Sequence, residues 1–307
     1  MPALTIRHVT TYRYRHAVAF GEHRMMLRPR DSDDQKVIAA TLGITPEPSS
    51  LRFDRDAFGN HVAIAEFAGR AAELSFESVV RVEHSPSDPA DLALAESVRT
   101  YPVDYSGDSD PALDDCRRRR HADPGDEVGG WARQFLDEGA PIGTLELLTR
   151  LSQGIRQGFV YRRREAKGIQ SPAETLKLGH GSCRDFAWLM VEAVRALGLA
   201  ARFASGYLAI VLDGSPHGAE QSPHGATHAW AQVYLPGAGW VEYDPTNGLM
   251  AGANLIRVGV TREASQALPI SGGFVGNAGD SIGMHVDVSV GRLDSIPDIV
   301  SRSTATP

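Results

Sequence analysis

Only two cysteines, Cys116 and Cys183, occur in the 307 residues. That excludes a disulfide scaffold and a four-cysteine zinc site. A basic excess is also missing: 31 Lys and Arg stand against 38 Asp and Glu, a net charge of −7, with a sequence pI near 5.9. A nucleic-acid binder would carry a positive surplus on at least one domain, so nucleic acid is not expected as a partner. No apolar run approaches the roughly 18 residues that suggest a membrane span. Met1–Val9 lacks the long apolar core of a signal peptide. A soluble, cytoplasmic protein without a membrane partner is therefore expected. Apolar residues at 42% and charged residues at 22% are ordinary for a globular chain. At roughly 150 residues per domain, the length suggests two domains.

The first 85 residues read as all-β. Leu4–Tyr14 is rich in Thr, Ile, Val and Tyr, and Val62–Phe67 and Leu74–Val82 alternate apolar with polar. DRDAFGNH, between Phe53 and His61, is a turn cluster joining two such runs. A small β-sandwich is the natural expectation. From residue 86 to 130, Pro, Asp, Ser and Gly accumulate, which reads as a connector with short helical pieces. From Trp131 the pattern becomes α+β. Leu145, Leu148, Ser152 and Ile155 fall at helical spacing, Gly158 closes that helix, and Phe159–Tyr161 reads as a short strand. A second helix is predicted from Cys183 to Leu197 with Gly198 as its stop. Strands are predicted at Arg202–Leu212, His228–Leu235, Trp240–Asp244 and His285–Val290, with the last placed in the core domain, 131–291. Residues 292–307 read as a solvated tail. In the loop Asp213–Thr227, SPHGA occurs twice, a flexible segment or a weak metal site through His217 and His224.

The strongest local signal is GHGSCRDFAWLMVEAVRALG. Phe186, Leu189, Met190, Ala193, Val194 and Leu197 form one apolar stripe, the mark of a buried amphipathic helix. Ser182 followed by Asp185 three residues later resembles a capping box, which makes Cys183 the first helical residue. Free backbone N–H groups and the helix dipole favour a thiolate there. Gly179 and Gly181 allow a close approach of backbone or substrate. Against this stands the plain alternative of a small cysteine packing the core. Cys116, followed by four arginines, lies in a poorly patterned connector with no candidate base.

THAWAQVYLPGAGWVEYDPT reads as a hairpin. A four-residue loop, Pro236–Gly239, would point His228 and Asp244 to opposite faces. A three- or five-residue connection centred on Pro236 pairs Gln232 with Trp240 and Trp230 with Glu242, and sets His228 directly opposite Asp244. The apolar pattern favours the odd length, because Ala229, Ala231, Val233, Val241 and Tyr243 then share one face. A carboxylate beside an imidazole fixes its tautomer and holds the imidazolium. The order Cys183, His228, Asp244 on helix, strand and strand is a way to build a thiol nucleophile with its base.

On these residues the chain resembles the transglutaminase-like superfamily, in particular bacterial proteins that join a β-rich N-terminal region to a transglutaminase-like core. SPAETLKLGHGSCRDFAWLMVEAVRALGLAARFASGYL and THAWAQVYLPGAGWVEYDPT carry the likeness. LTIRHVTTYRYRHAV, the helix from Leu145 and LPISGGFVGNAGDSIGMHVDVSV extend it. The resemblance implies an α+β fold, with a β-sandwich-like domain at 1–85 and a papain-like, transglutaminase-like α+β core. It implies Cys183 as nucleophile, His228 as base and Asp244 as orienting carboxylate. The substrate would be a peptide or protein amide, with an amine as possible acceptor, and no cofactor or metal is called for. The Cys183 N–H is one expected oxyanion donor, with Gln170 and Tyr161 as candidates for the second, and Trp230 and Trp240 as candidate cleft walls. Two other functions compete: a binding or scaffold protein on the same fold, and a metal site at His180, Cys183 and His228. The scaffold would be expected to have lost a triad member, and none is lost. The metal site lacks a fourth ligand at a defined spacing. The β-rich domain is expected to shape the approach to the cleft or dock a partner, and residues 213–227 to act as a flap.

Overall fold

The computed structural model describes residues 3–85, 91–107, 110–137, 139–163, 168–209, 226–250 and 254–292. The repeated SPHGA loop, His217, His224 and the tail lie outside the described residues.

Alternation builds the N-terminal domain. In β6 (Arg70–His84), Leu74, Phe76, Ser78, Val80, Val82 and His84 are buried, every second residue, as a strand with one face on a core requires. β6 lies between β3 (Gln35–Thr45) and the long β1 (Ala3–Phe20). The second sheet runs β16 (Ile270–Ser271), β2 (His23–Met25), β5 (His61–Glu66), β4 (Ser50–Arg55). The predicted turn before β5 forms around Asp56, whose Oδ1 accepts the N–H groups of Phe58 and Asn60, both at 2.9 Å. Tyr14, Val18, Phe20, Met25, Leu74 and Phe76 fill the space between the sheets. The expected β-sandwich is present, with one difference. The C-terminal strand β18 (Ser281–Arg292), assigned from sequence to the core domain, pairs antiparallel with β1 from Leu4↔Arg292 to Tyr14↔Ser281. β17 (Phe274–Val275) continues that edge beside Ala19 and Phe20. The chain leaves this domain and returns to complete it.

The stretch expected to be a connector is built into the core. β7 (Thr100–Tyr101) pairs with β8 (Ile142–Gly143), and α1 (Pro111–Arg117) packs beside the core. α2 (Glu127–Arg133) crosses the expected boundary and buries Val128 and Ala132 in the main core cluster.

That core forms around α5 (Cys183–Ala196). α3 (Thr144–Gly158) contributes Leu147, Leu148, Leu151 and Ile155. α5 also packs on a five-stranded antiparallel sheet of order β14-β13-β12-β11-β15. These strands are β11 (Ala201–Leu208), β12 (Ala226–Leu235), β13 (Gly239–Asp244), β14 (Leu249–Met250) and β15 (Leu255–Thr261). Ala229, Ala231, Val233, Val241 and Tyr243 face α5, as the hairpin pattern predicts. Tyr207, Ile256 and Val258 join Leu4, Ile6, Val80, Val82, Val288 and Val290 in a second cluster spanning both domains. A fully buried aliphatic side chain contributes about 1.5–3 kcal/mol, so this seam is a shared core and not a loose contact. No described helix is long and apolar enough to cross a membrane.

Candidate active site

Three short elements bring Cys183 to a helix start. α4 (Pro172–Leu178) begins with a capping box between Ser171 and Glu174 and has Pro172 in its first turn. Gly179 ends it at φ 65°, a left-handed position that glycine adopts without penalty. β10 (His180–Gly181) pairs with β9 (Val160–Tyr161), and α5 begins at Cys183. The buried Asp185 carboxylate accepts the Ser182 N–H and hydroxyl, each at 2.8 Å, and the Gln170 N–H at 2.7 Å. The expected capping carboxylate is thus in place, and the first-turn N–H groups have no carbonyl partner inside the helix. Gly181 is small for a different reason from the one expected. A Cβ there would meet Asp185 Cβ at 2.9 Å and Gln170 Oε1 at 3.1 Å, so protein packing demands the glycine.

His228 and Asp244 are both buried, with His228 Nε2 2.9 Å from Asp244 Oδ2. Asp244 is held in turn: Oδ1 accepts the Thr246 N–H at 3.0 Å, and Oδ2 accepts Asn247 Nδ2 at 2.7 Å. The Cys183 side chain lies close enough to the His228 ring to interact with it. With Nε2 engaged by Asp244, Nδ1 is the nitrogen that faces the sulfur. Burial disfavours the imidazolium, but the Asp244 carboxylate and the Cys183 sulfur outweigh it and hold His228 above its ordinary value. Burial likewise works against the Asp244 carboxylate, and His228 with the hydrogen bonds overcomes it, leaving Asp244 below the usual range.

The hairpin register differs from the expected one by a single step of pairing. The connection is three residues, Pro236–Ala238, so Leu235 pairs with Gly239 and Gln232 with Glu242. Trp240 faces Tyr234 and not Gln232. Continued along the strands, this register sets Asp244 across from Trp230, diagonal to His228. Parity survives, so His228 and Asp244 share a face, and the diagonal is bridged by the side chains. On its other edge His228 pairs with Gly206, where a Cβ would lie 2.0 Å from the Ile256 carbonyl oxygen.

Cys183 and His228 open onto a cleft of about 490 Å³ that both domains line. Tyr161 at the end of β9, Arg163 just beyond it, Ser182, Arg184 and the segment Leu268–Ile270 form its core side. The Arg184 guanidinium donates to the carbonyls of Ala264 and Ala267 and so ties that segment to the start of α5. His8, Thr10 and Tyr12 of β1, with Met284, Val286 and Val288 of β18, form the other side. The β-rich domain was expected to shape the approach to the cleft, but none of these residues could be named from sequence, because nothing local links strands at opposite chain ends to a distant cysteine.

The remaining sequence candidates divide. Tyr161 lines the cleft with Cys183. Gln170 does not reach it. Oriented to satisfy its neighbours, its amide donates to the His180 carbonyl at 3.3 Å and to Asp185 Oδ2 at 3.1 Å, behind the cysteine loop. Trp230 is fully buried and stacks on the His228 ring at 6.2 Å, so it backs the imidazole instead of walling the cleft. Trp240 packs against Tyr234 and lies under Arg202, away from the cleft. Cys116 is buried beside the α5 end, and burial pushes its thiol up. Among the described residues no three His, Cys, Asp or Glu side chains are grouped to hold a metal, the combination His180, Cys183 and His228 included.

Residues 4–83 match the family model for the bacterial transglutaminase-like N-terminal region, and residues 131–245 that for the transglutaminase-like superfamily. Uncharacterized proteins of Mycobacterium bovis and Mycobacterium tuberculosis are each 31% identical to this chain over 305 residues, covering 93% of it and 90% of their own length. Among solved structures, a Cytophaga hutchinsonii protein described as a candidate cysteine protease superposes with a TM-score of 0.70. It is 19% identical and covers 94% of this chain and 90% of its own, a likeness of fold.

Proposed function

Because the chain belongs to the transglutaminase-like superfamily, we propose that Cys183, His228 and Asp244 carry out thiol-dependent acyl transfer on amide bonds. The observation that carries this is the series Cys183–His228–Asp244, with the imidazole hydrogen-bonded to the buried carboxylate and the sulfur beside the ring and open to the cleft. The Cys183 sulfur attacks the amide carbon, a C–S bond forms, and the carbonyl electron pair moves to oxygen. The Cys183 N–H at the start of α5 is the donor we assign to the developing oxyanion. As the oxygen pair returns, the C–N bond breaks and the His228 imidazolium gives its proton to the leaving amine, which yields a thioester. An incoming amine or water then gives up a proton to His228 as it attacks the thioester, and the C–S bond breaks to release the Cys183 thiolate beside the imidazolium. The first outcome is transamidation and the second hydrolysis. Asp244 holds the imidazole with Nδ1 toward sulfur and stabilises its charged form throughout.

The test is mass spectrometry of peptides incubated with the protein and a primary amine. Amine incorporation, peptide shortening and deamidation each shift mass differently, and every product should vanish in Cys183→Ala. Peptides left unchanged across a broad library, with Cys183 no more reactive than a free thiol, would replace this proposal by a binding or scaffold role.

A further inference from the structure

The cleft wall opposite the core side belongs to the N-terminal sheet, and its composition is selective. The register pairs His8 with Val288, Thr10 with Val286 and Tyr12 with Met284, and all six residues line the cleft. Alternation explains this, since side chains two apart on adjacent strands share a face. The deep end is closed and neutral. His8 and Thr10 are each 2% exposed, His8 Nδ1 lies 3.0 Å from the Tyr207 hydroxyl, and Nε2 lies 2.9 Å from Thr10 Oγ1. Both ring nitrogens are satisfied, so no charge waits there for a ligand. The mouth is apolar. Met284 is 61% exposed and Leu268, from the core side, 40% exposed, and Val286, Pro269 and Ile270 line the same cleft. Large apolar side chains left in water at the rim of a concave site mark a surface that a ligand covers. The Asp287 carboxylate is directed to Arg7 at 3.4 Å, and the Arg184 guanidinium to two backbone carbonyls. A charged side chain packed on the face of His8, Thr10, Val286 and Val288 would lose water without gaining a counter-ion from that face, since Arg163 belongs to the core side and Asp287, which also lines the cleft, is engaged by Arg7.

We propose that this wall is a side-chain subsite for a bulky apolar or aromatic residue next to the reacting amide, so that the N-terminal domain selects the substrate. The inference rests on Cys183 being the nucleophile, and its test keeps the two separable. Cys183 alkylation is followed with two probes, iodoacetamide and N-benzyl-iodoacetamide. In each, the sulfur displaces iodide, a C–S bond forms as the C–I bond breaks, and only the amide substituent differs. Rates are referred to those of N-acetylcysteine with the same reagents. The benzyl reagent should be favoured over iodoacetamide by about tenfold or more, the effect of burying one aromatic ring, and its rate should saturate with concentration. Met284→Asp, at an exposed position that does not threaten folding, should bring the preference close to that of N-acetylcysteine. Val286→Phe, which fills the subsite, should do the same by crowding. Taking the ratio of reagents within each variant cancels any change in the thiol itself. A normal iodoacetamide rate without benzyl preference would overturn the subsite and leave the acyl-transfer proposal standing. A preference undiminished in both variants would also overturn it, placing the ring elsewhere in the cleft. Failure of both reagents to label Cys183 would overturn both proposals.

Discussion

At the scale of single residues, the two cysteines are a controlled pair. Cys183 is partly exposed and lines the cleft beside His228, whereas Cys116 is buried and burial pushes its thiol up. At neutral pH iodoacetamide should modify Cys183 at least about tenfold faster than Cys116, as read by peptide mass spectrometry over time. His228→Ala should remove most of that difference while the circular dichroism spectrum stays native. Asp244→Asn keeps the volume and the backbone contacts at Thr246 but removes the charge that holds His228 up. Turnover should fall by about two to four orders of magnitude, with a much smaller change in KM. Cys183, His228 and Asp244 were legible in the chain because residue type, order and strand parity are local properties. The placement of Trp230 and Trp240, candidates for the cleft wall, was not legible for the opposite reason. An aromatic residue on the polar face of a hairpin looks like a cleft wall until the layer covering that face is known.

At the scale of elements, α5 carries a polar pair that its apolar stripe does not reveal. Glu192 and Arg195 have fully buried side chains and meet at 2.8 Å. Glu192 also accepts the N–H groups of Arg120 and His121, while Arg195 donates to the carbonyls of Cys116, Ala201 and Arg262. The pair thus fastens the segment after α1 to the end of the helix that bears Cys183. Glu192→Ala leaves a buried guanidinium without its carboxylate and should cost about 3–5 kcal/mol, measured by urea denaturation. The double replacement Glu192→Leu with Arg195→Met should cost less than Glu192→Ala alone. Both residues lie off the apolar stripe of the helix. They are inside because the supposed connector folds over them, and only a contact distant in sequence could show it.

At the scale of the whole molecule, the seam between domains is both a core and one side of the cleft. His8 sits in it, and burial pushes this imidazole down to about 4, with Asp287 opposing in part. Because the folded value lies below the unfolded one near 6.5, the unfolded chain takes up the proton first. The contribution of neutral His8 is complete above pH 6.5 and is lost as pH falls toward 4, up to about 3 kcal/mol. Thermal melts should therefore drop across that window, and His8→Gln, which has no proton to gain there, should flatten the slope. Burial pushes His23, His61 and His84 the same way, so the slope should shrink without vanishing. A His8→Gln slope equal to that of the wild type would show that the seam does not sense this proton. Because β18 completes the first sheet and the cluster at Tyr207 and Val258 spans both units, urea unfolding should be a single transition by fluorescence and circular dichroism alike.

Local chemistry decided a good deal about this chain. Alternation marked the strands of the sandwich, a capping serine and aspartate marked the start of α5, and the apolar pattern of the hairpin put His228 and Asp244 on one face. Each depends on interactions between residues a few positions apart, which the order of side chains states directly. Tertiary structure decided the rest. It carried β18 back across the molecule to β1, drew α1 and α2 onto the core, and moved the hairpin register by one step, leaving Asp244 diagonal to His228. It also set Met284 and Val286 in the same cleft as Cys183. These outcomes follow from which apolar faces cover one another when the whole chain collapses. That competition is settled by the sum of buried surface over distant segments, and no local pattern carries it.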